Sequence, residues 1–164
     1  MVQQIMGCFE RTLAFIREQV ADLSEEEMVL QPPGVPNHAA WTLGHLIYSC
    51  QEIGIELGLA PWLPSDWESQ YGYGSLPSHI GSANSSKPTL LALLAGAGDR
   101  LRNALLLMDE SAWAKPLPDE KTREILPTLG HALVQVIIAH TAFHAGQLAA
   151  WRRAIGRAPV GVFV

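Results

Sequence analysis

Four stretches of the chain repeat apolar residues at helical spacing, and no segment alternates with a period of two over a useful length. The first runs from about Gln4 to Asp22, with Phe9, Leu13, Ile16 and Val20 along one stripe. Ser24 and Glu27 follow as an S-x-x-E capping box, opening a short helical turn that Pro32 and Pro33 stop. The second stretch begins after Asn37, a good N-cap, and runs to Gly58, a good residue for the position after a helix. The third starts near Ser86, Lys87 and Pro88, where proline suits a first turn, and runs to about Met108; Ser111 to Ala114 adds a short turn. The fourth starts after Pro127, is capped by Thr128 and ends at Gly156. The pattern predicts an all-α chain, a four-helix bundle forming a single domain over residues 1–164.

Between the second and third helices lie 28 residues, 59–86. A connection that long is usually functional or disordered. Trp62, Trp67, Tyr71 and Tyr73 favour an ordered loop, because large aromatics pack, and a crossover lid over one end of the bundle is the natural form.

Composition narrows the class. Apolar residues make up 48% of the 164 and charged residues only 16%, which calls for an extensive core or a buried subunit interface. The formal charge is −5 with no basic block, so no nucleic-acid partner is expected. Arg152, Arg153 and Arg157 read as cations offsetting the dipole of the last helix turn. Cys8 and Cys50 lack the spacing of a redox pair or zinc knuckle and read as free thiols in a reducing compartment. MVQQIMGC lacks the basic start and apolar run of a leader, so a cytoplasmic location is expected. Residues 132–151 are nearly long enough to span a membrane, but His140, His144 and Gln147 at their centre argue against it.

His140 and His144 are the most informative residues. They lie four apart, hence on one helix face, in the most apolar stretch of the chain, where the helix is expected to be buried nearly all round. Unpaired buried polar groups cost about 1–3 kcal/mol each, so two imidazoles there need partners, and a divalent metal would supply one. A third ligand must come from elsewhere. His131, nine residues before His140, falls on the opposite face and reads as a cap or a solvent-facing residue. His79 has no fixed direction, and His38 lies seven residues, about 10.5 Å, from His45 along the axis, so both cannot reach one ion. His45, with Trp41 and Tyr48 on its side of the helix, points inward. If the second and fourth helices are neighbours, His45, His140 and His144 converge, and three neutral imidazoles leave open positions on the ion, as in catalytic zinc sites. From spacing alone, hydrogen-bonded core histidines stand as the alternative. Residue 141 is Thr, so the glutamate base of an H-E-x-x-H protease is absent.

At these residues the chain resembles the DinB-like (YfiT-like) superfamily of metal-binding proteins. Asn37 to Leu46, NHAAWTLGHL, is similar to its W-x-L-G-H signature. His140 to Leu148, HTAFHAGQL, is similar to its H-x-x-x-H-x-G-Q signature, and Leu23 to Pro33 to the segment after its first helix. The resemblance implies a four-helix bundle with a long second connection, metal ligands at His45, His140 and His144, a divalent ion (commonly zinc or nickel) and frequent homodimers. It leaves the activity open between transfer reactions using a low-molecular-weight thiol and hydrolysis.

Two functions follow as expectations. One is a metal-dependent enzyme, a thiol transferase or hydrolase acting on a small molecule; the other is a non-catalytic, metal-binding or stress-related homodimeric bundle. Gln147 shares the face of His144 and can orient a ligand or, as glutamine more often does, cap a neighbouring helix. Trp41, Tyr48, Trp62, Trp67, Tyr71 and Tyr73 are candidate pocket residues. Glu52 lies two turns from His45 and is left outside the site; no general acid or base is visible. The surplus of apolar surface on the last helix predicts a homodimer, and the apolar tail 159–164 is expected to dock on the body or on a second subunit.

Overall fold

The computed structural model describes residues 2–161. Its long elements are α1 (Val2–Val20), α2 (Ala39–Glu56), α4 (Lys87–Leu107) and a final helix spanning Leu129–Ala154. The final helix has three parts: α6 (Leu129–Leu133), a π-helical segment (Val134–His140) and α7 (Thr141–Ala154). Short helices α3 (Trp67–Tyr71) and α5 (Glu120–Ile125) sit in the two connections flanking α4. The bundle closes in a ring, α1 on α4, α4 on α2, α2 on α7 and α7 on α1. Among the described residues no strand forms; Pro116 and Thr128 make an isolated bridge.

The local signals stop and start the helices as expected. Ser24 and Glu27 close the capping box reciprocally, the Ser24 N–H donating to Glu27 Oε2 at 2.9 Å and the Glu27 N–H to Ser24 Oγ at 3.3 Å. The Ser86 and Thr128 hydroxyls accept the Thr89 and His131 N–H groups at the starts of α4 and α6. Gly58 and Gly156 follow helix ends with φ of 87° and 81°, the left-handed region that glycine enters without a Cβ penalty. Asn37 is not the N-cap of α2. His38 takes that place, its Nδ1 accepting the Trp41 N–H at 3.1 Å. Because Nδ1 accepts, Nε2 carries the proton, and it donates to the Ser78 carbonyl at 2.9 Å.

That second bond belongs to a strap. Instead of forming a lid over the bundle end, the 59–86 connection runs back along α2 and is tied to it at successive turns. Gln51 Oε1 accepts the Trp62 and Leu63 N–H groups at 2.8 and 2.7 Å. The Trp67 indole donates to the Gly44 carbonyl at 3.1 Å, and the Trp41 indole donates to Ser75 Oγ at 2.9 Å. Trp67 and Tyr71 are buried on α2, so the expected ordered loop forms; Tyr73 is fully exposed.

The last helix departs from its expected burial. Leu133, Ile137, Ala145, Leu148 and Trp151 face the core, whereas Val134 and Phe143 are 45% and 60% exposed. The span is long and apolar enough to cross a membrane, and its inner face is spent on the bundle core. The arginines at its end do more than offset a dipole. Arg152 is buried, pairs bidentately with Asp22 at 2.6 and 2.9 Å, and donates to the Gln19 carbonyl at 2.8 Å. Arg157 Nε donates to Glu27 Oε1 at 2.7 Å, so the capping-box glutamate is shared, while Arg153 is exposed. The Arg152 guanidinium holds the Asp22 carboxyl down at about 2. Cys8 and Cys50 are free thiols, the first exposed and the second buried. Of the apolar tail, residues 162–164 lie outside the described residues.

Candidate metal centre

His45 is on α2, two turns from its N-terminus, and its ring is oriented by three neighbours. Nδ1–H donates to the Tyr71 carbonyl at 2.7 Å. That carbonyl can only accept, so the neutral ring keeps its lone pair on Nε2. Trp41, one turn earlier, stacks on the imidazole with centroids 4.7 Å apart and planes 9° apart. Gly44 makes room for the strap: a Cβ there would lie 2.2 Å from Tyr71 Cδ1. Each fixed residue of W41-T-L-G-H45 thus has a task, with Leu43 filling the core.

His45 Nε2 faces His140 Nε2 at 3.1 Å, and His140 Nε2 faces His144 Nε2 at 3.0 Å. The three ligand-capable nitrogens lie within 4.8 Å of one another. An ion bound at about 2.0–2.1 Å to imidazole nitrogens sets two of its ligands roughly 3 Å apart. Burial, reinforced by the neighbouring imidazoles, pushes His140 down to about 4 and His144 to about 3, and burial also lowers His45. All three are therefore neutral near pH 7, with lone pairs available to a cation. Three inward-facing bases with no acid among them fit a shared divalent ion, and the cluster could hold one.

The π segment sets the approach of the two helix-borne histidines. It ends at His140, and the Thr141 hydroxyl donates back to the Val136 carbonyl at 3.0 Å, a partner five residues away. Such wide turns recur at functional sites, and nothing in the VQVIIAH pattern announces this one. Gln147 caps no helix. Its Oε1 is buried without a hydrogen-bond partner, as is His144 Nδ1 one turn away. The carboxamide nonetheless raises the His144 pKa, opposing burial, so acceptor and donor are poised to pair.

The cluster opens on one side into a cleft of about 400 Å³, walled by His45, His140, Tyr48, Glu52, Glu68 and Tyr73 among others. Two corrections follow. Glu52, set aside for its distance along α2, lines the same cleft as His45, and Glu68 of α3 joins it, a residue no sequence signal singled out. Burial, followed by the charges of Glu52 and Glu68, pushes the Tyr48 phenol up to about 12; burial and the Glu68 charge raise Glu52. Of the other aromatic candidates, Trp41 and Tyr71 position His45. Trp62 lies against Gly54, with the Arg100 guanidinium 5.3 Å from its ring centroid. His38 holds the strap, His131 is exposed and bonded to Thr128, and His79 lies beside His38 with centroids 6.5 Å apart; none joins the cluster.

The chain is thus an all-α bundle with three imidazoles gathered between two facing helices, a group that could hold a metal ion. The chain belongs to the DinB superfamily, whose sequence profile matches residues 9–148. A crystal structure of a conserved protein from Enterococcus faecalis has the same fold, with a TM-score of 0.79 at 19% identity, over 96% of this chain and 98% of that one. No curated relative matches the sequence.

Proposed function

We propose that the protein is a metal-dependent enzyme acting on a small molecule, by thiol-dependent transfer or by hydrolysis. His45, His140 and His144 hold one divalent ion, zinc or nickel in kind. The observation that carries this reading is the fixed tautomer of His45, which aims an unprotonated Nε2 at His140 Nε2, 3.1 Å away. A bound ion would supply a Lewis acid that lowers the pKa of coordinated water or thiol.

The residues of the chain do the rest. Tyr71 and Trp41 hold the His45 ring, Gln147 stands one turn from His144 with a carboxamide oxygen free to accept its Nδ1–H, and the cluster opens toward the cleft. A cleft of about 400 Å³ beside the cluster supports an enzyme over a metal-stapled scaffold, because it admits a small substrate. We further propose a single-domain cytoplasmic homodimer, with no nucleic-acid or membrane partner, in which the exposed Phe143 is covered by a second copy.

Cobalt substitution tests the catalytic reading. Addition of a small thiol should change the visible spectrum of the cobalt protein as an open position fills. A cobalt spectrum indifferent to thiols and to competing anions would mean a closed, structural site and would end the enzyme proposal.

A further inference from the structure

His38 is fully buried and stands outside the histidine cluster. Its ring ties two parts of the fold together, accepting the Trp41 N–H on Nδ1 and donating from Nε2 to the Ser78 carbonyl. Around Ser78 the strap has few other holds: Leu76, His79 and Ile80 are exposed, and the neighbouring bond to α2 runs from the Trp41 indole to Ser75 Oγ. The Ser78 carbonyl has a second donor, Asn84 Nδ2 at 2.9 Å, so it keeps a partner when the ring lets go. The cap requires the neutral ring. A protonated imidazole carries N–H on both nitrogens, and Nδ1 would then face the Trp41 N–H donor to donor, at the positive end of the helix dipole.

We propose that His38 is an acid-sensitive latch: when its ring takes up a proton, the cap of α2 is lost and the stretch 75–80 swings away from the helix, freeing Trp41. The same tryptophan stacks on His45, so acid loosens a support of the cluster whether or not a metal is held there. The groups around the ring set the direction of the response. From the strap, His79 faces His38 with centroids 6.5 Å apart. Residues 30–37, which lead into α2, include no ionisable side chain. Glu25 and Glu26 wall a hollow with Ala40, and Lys87 of α4 spends its ammonium on the Val20, Ala21 and Leu23 carbonyls. Burial, and after it the charge of His79, lowers the His38 pKa from 6.5, against the pull of the Ser78 carbonyl. A released ring titrates at the ordinary 6.5, so the latch is complete above that pH and is lost as pH falls through the lower value of the latched ring.

NMR on the whole chain tests this, with indole N–H signals and the His38 ring followed from about pH 7.5 to about pH 5. The Trp41 indole signal should shift and lose its protection from solvent exchange with the same midpoint as the His38 ring. The Trp67 and Trp151 indoles, bonded to the Gly44 and Leu30 carbonyls, should hold through that range. His38→Asn keeps a side-chain acceptor for the Trp41 N–H but cannot titrate, so its Trp41 signal should stay constant. That variant also keeps His45 beside Trp41, so a change driven by His45 would survive in it. A Trp41 signal indifferent to His38 titration, a His38 that stays neutral while Trp41 moves, or the same acid response in His38→Asn would overturn the latch. So would Trp41, Trp67 and Trp151 changing together, the mark of general unfolding. The coincidence of the two midpoints is read in the wild type alone, so the test holds even if the variant folds poorly. No signal in it depends on a bound metal, which separates its failure from that of the proposed function.

Discussion

His45 is oriented by groups that never touch the proposed ion, and that makes its supports testable. Gly44→Ala puts a methyl group into the Tyr71 ring, at 2.2 Å from Cδ1. Rigid backbone on both sides leaves displacement of the strap as the relief, so urea denaturation should show a loss of about 1–3 kcal/mol. The same change releases the Tyr71 carbonyl from His45, and zinc affinity should fall with it. Gln147→Ala removes the acceptor beside His144 Nδ1 and should weaken zinc binding about tenfold in a competitive chelator titration, with little change in melting temperature. An unchanged zinc affinity in that variant would make Gln147 a spectator.

At the scale of elements, two devices hold the bundle around the site: the strap along α2 and the ion-pair clamp joining the last helix to the first. The clamp has a pH signature. Asp22 titrates at about 2 when folded against 3.8 ordinarily, so its contribution is complete above 3.8 and lost as pH falls through about 2. The gap in urea midpoint between wild type and Asp22→Asn should therefore be widest near neutral pH and close in strong acid. A gap that stays constant across that window would show that the carboxylate charge is not what Asp22 contributes.

These two devices also mark what could and could not be read from the chain. Gly58, Ser86, Thr128 and Gly156 were legible as helix boundaries because a cap acts within a turn of itself. The histidine pair was legible for the same reason, since four residues define a helix face. The strap was not, because its bonds join residues such as Gln51 and Trp62, or His38 and Ser78, whose pairing depends on how the chain returns. That Glu52 lines the cleft is not legible either, because distance along one helix says nothing of a hollow whose other walls are α3 and the π segment. The same reasoning placed the cap of α2 at Asn37, where a histidine imidazole does the work of a carboxamide one residue later.

At the scale of the whole molecule, the bundle uses only one face of its final helix. Elsewhere the same helix leaves Phe143 and Val134 exposed, Val134 beside Trp113 and His131. If a second copy covers Phe143, Phe143→Glu should convert a dimer to a monomer in light scattering while leaving the helical spectrum unchanged. A wild-type protein already monomeric at micromolar concentration would remove the dimer from the account. Phe143 also lies 5.3 Å from the His144 ring, so metal content should be followed in the same variant.

The central claim is that three neutral imidazoles share one cation, and elemental analysis tests it most directly. Protein prepared without a nickel column and dialysed against a zinc buffer should carry one equivalent of metal per chain, and the His45→Ala variant should carry far less. Wild-type protein that leaves dialysis without metal, or a variant that retains a full equivalent, would contradict the account.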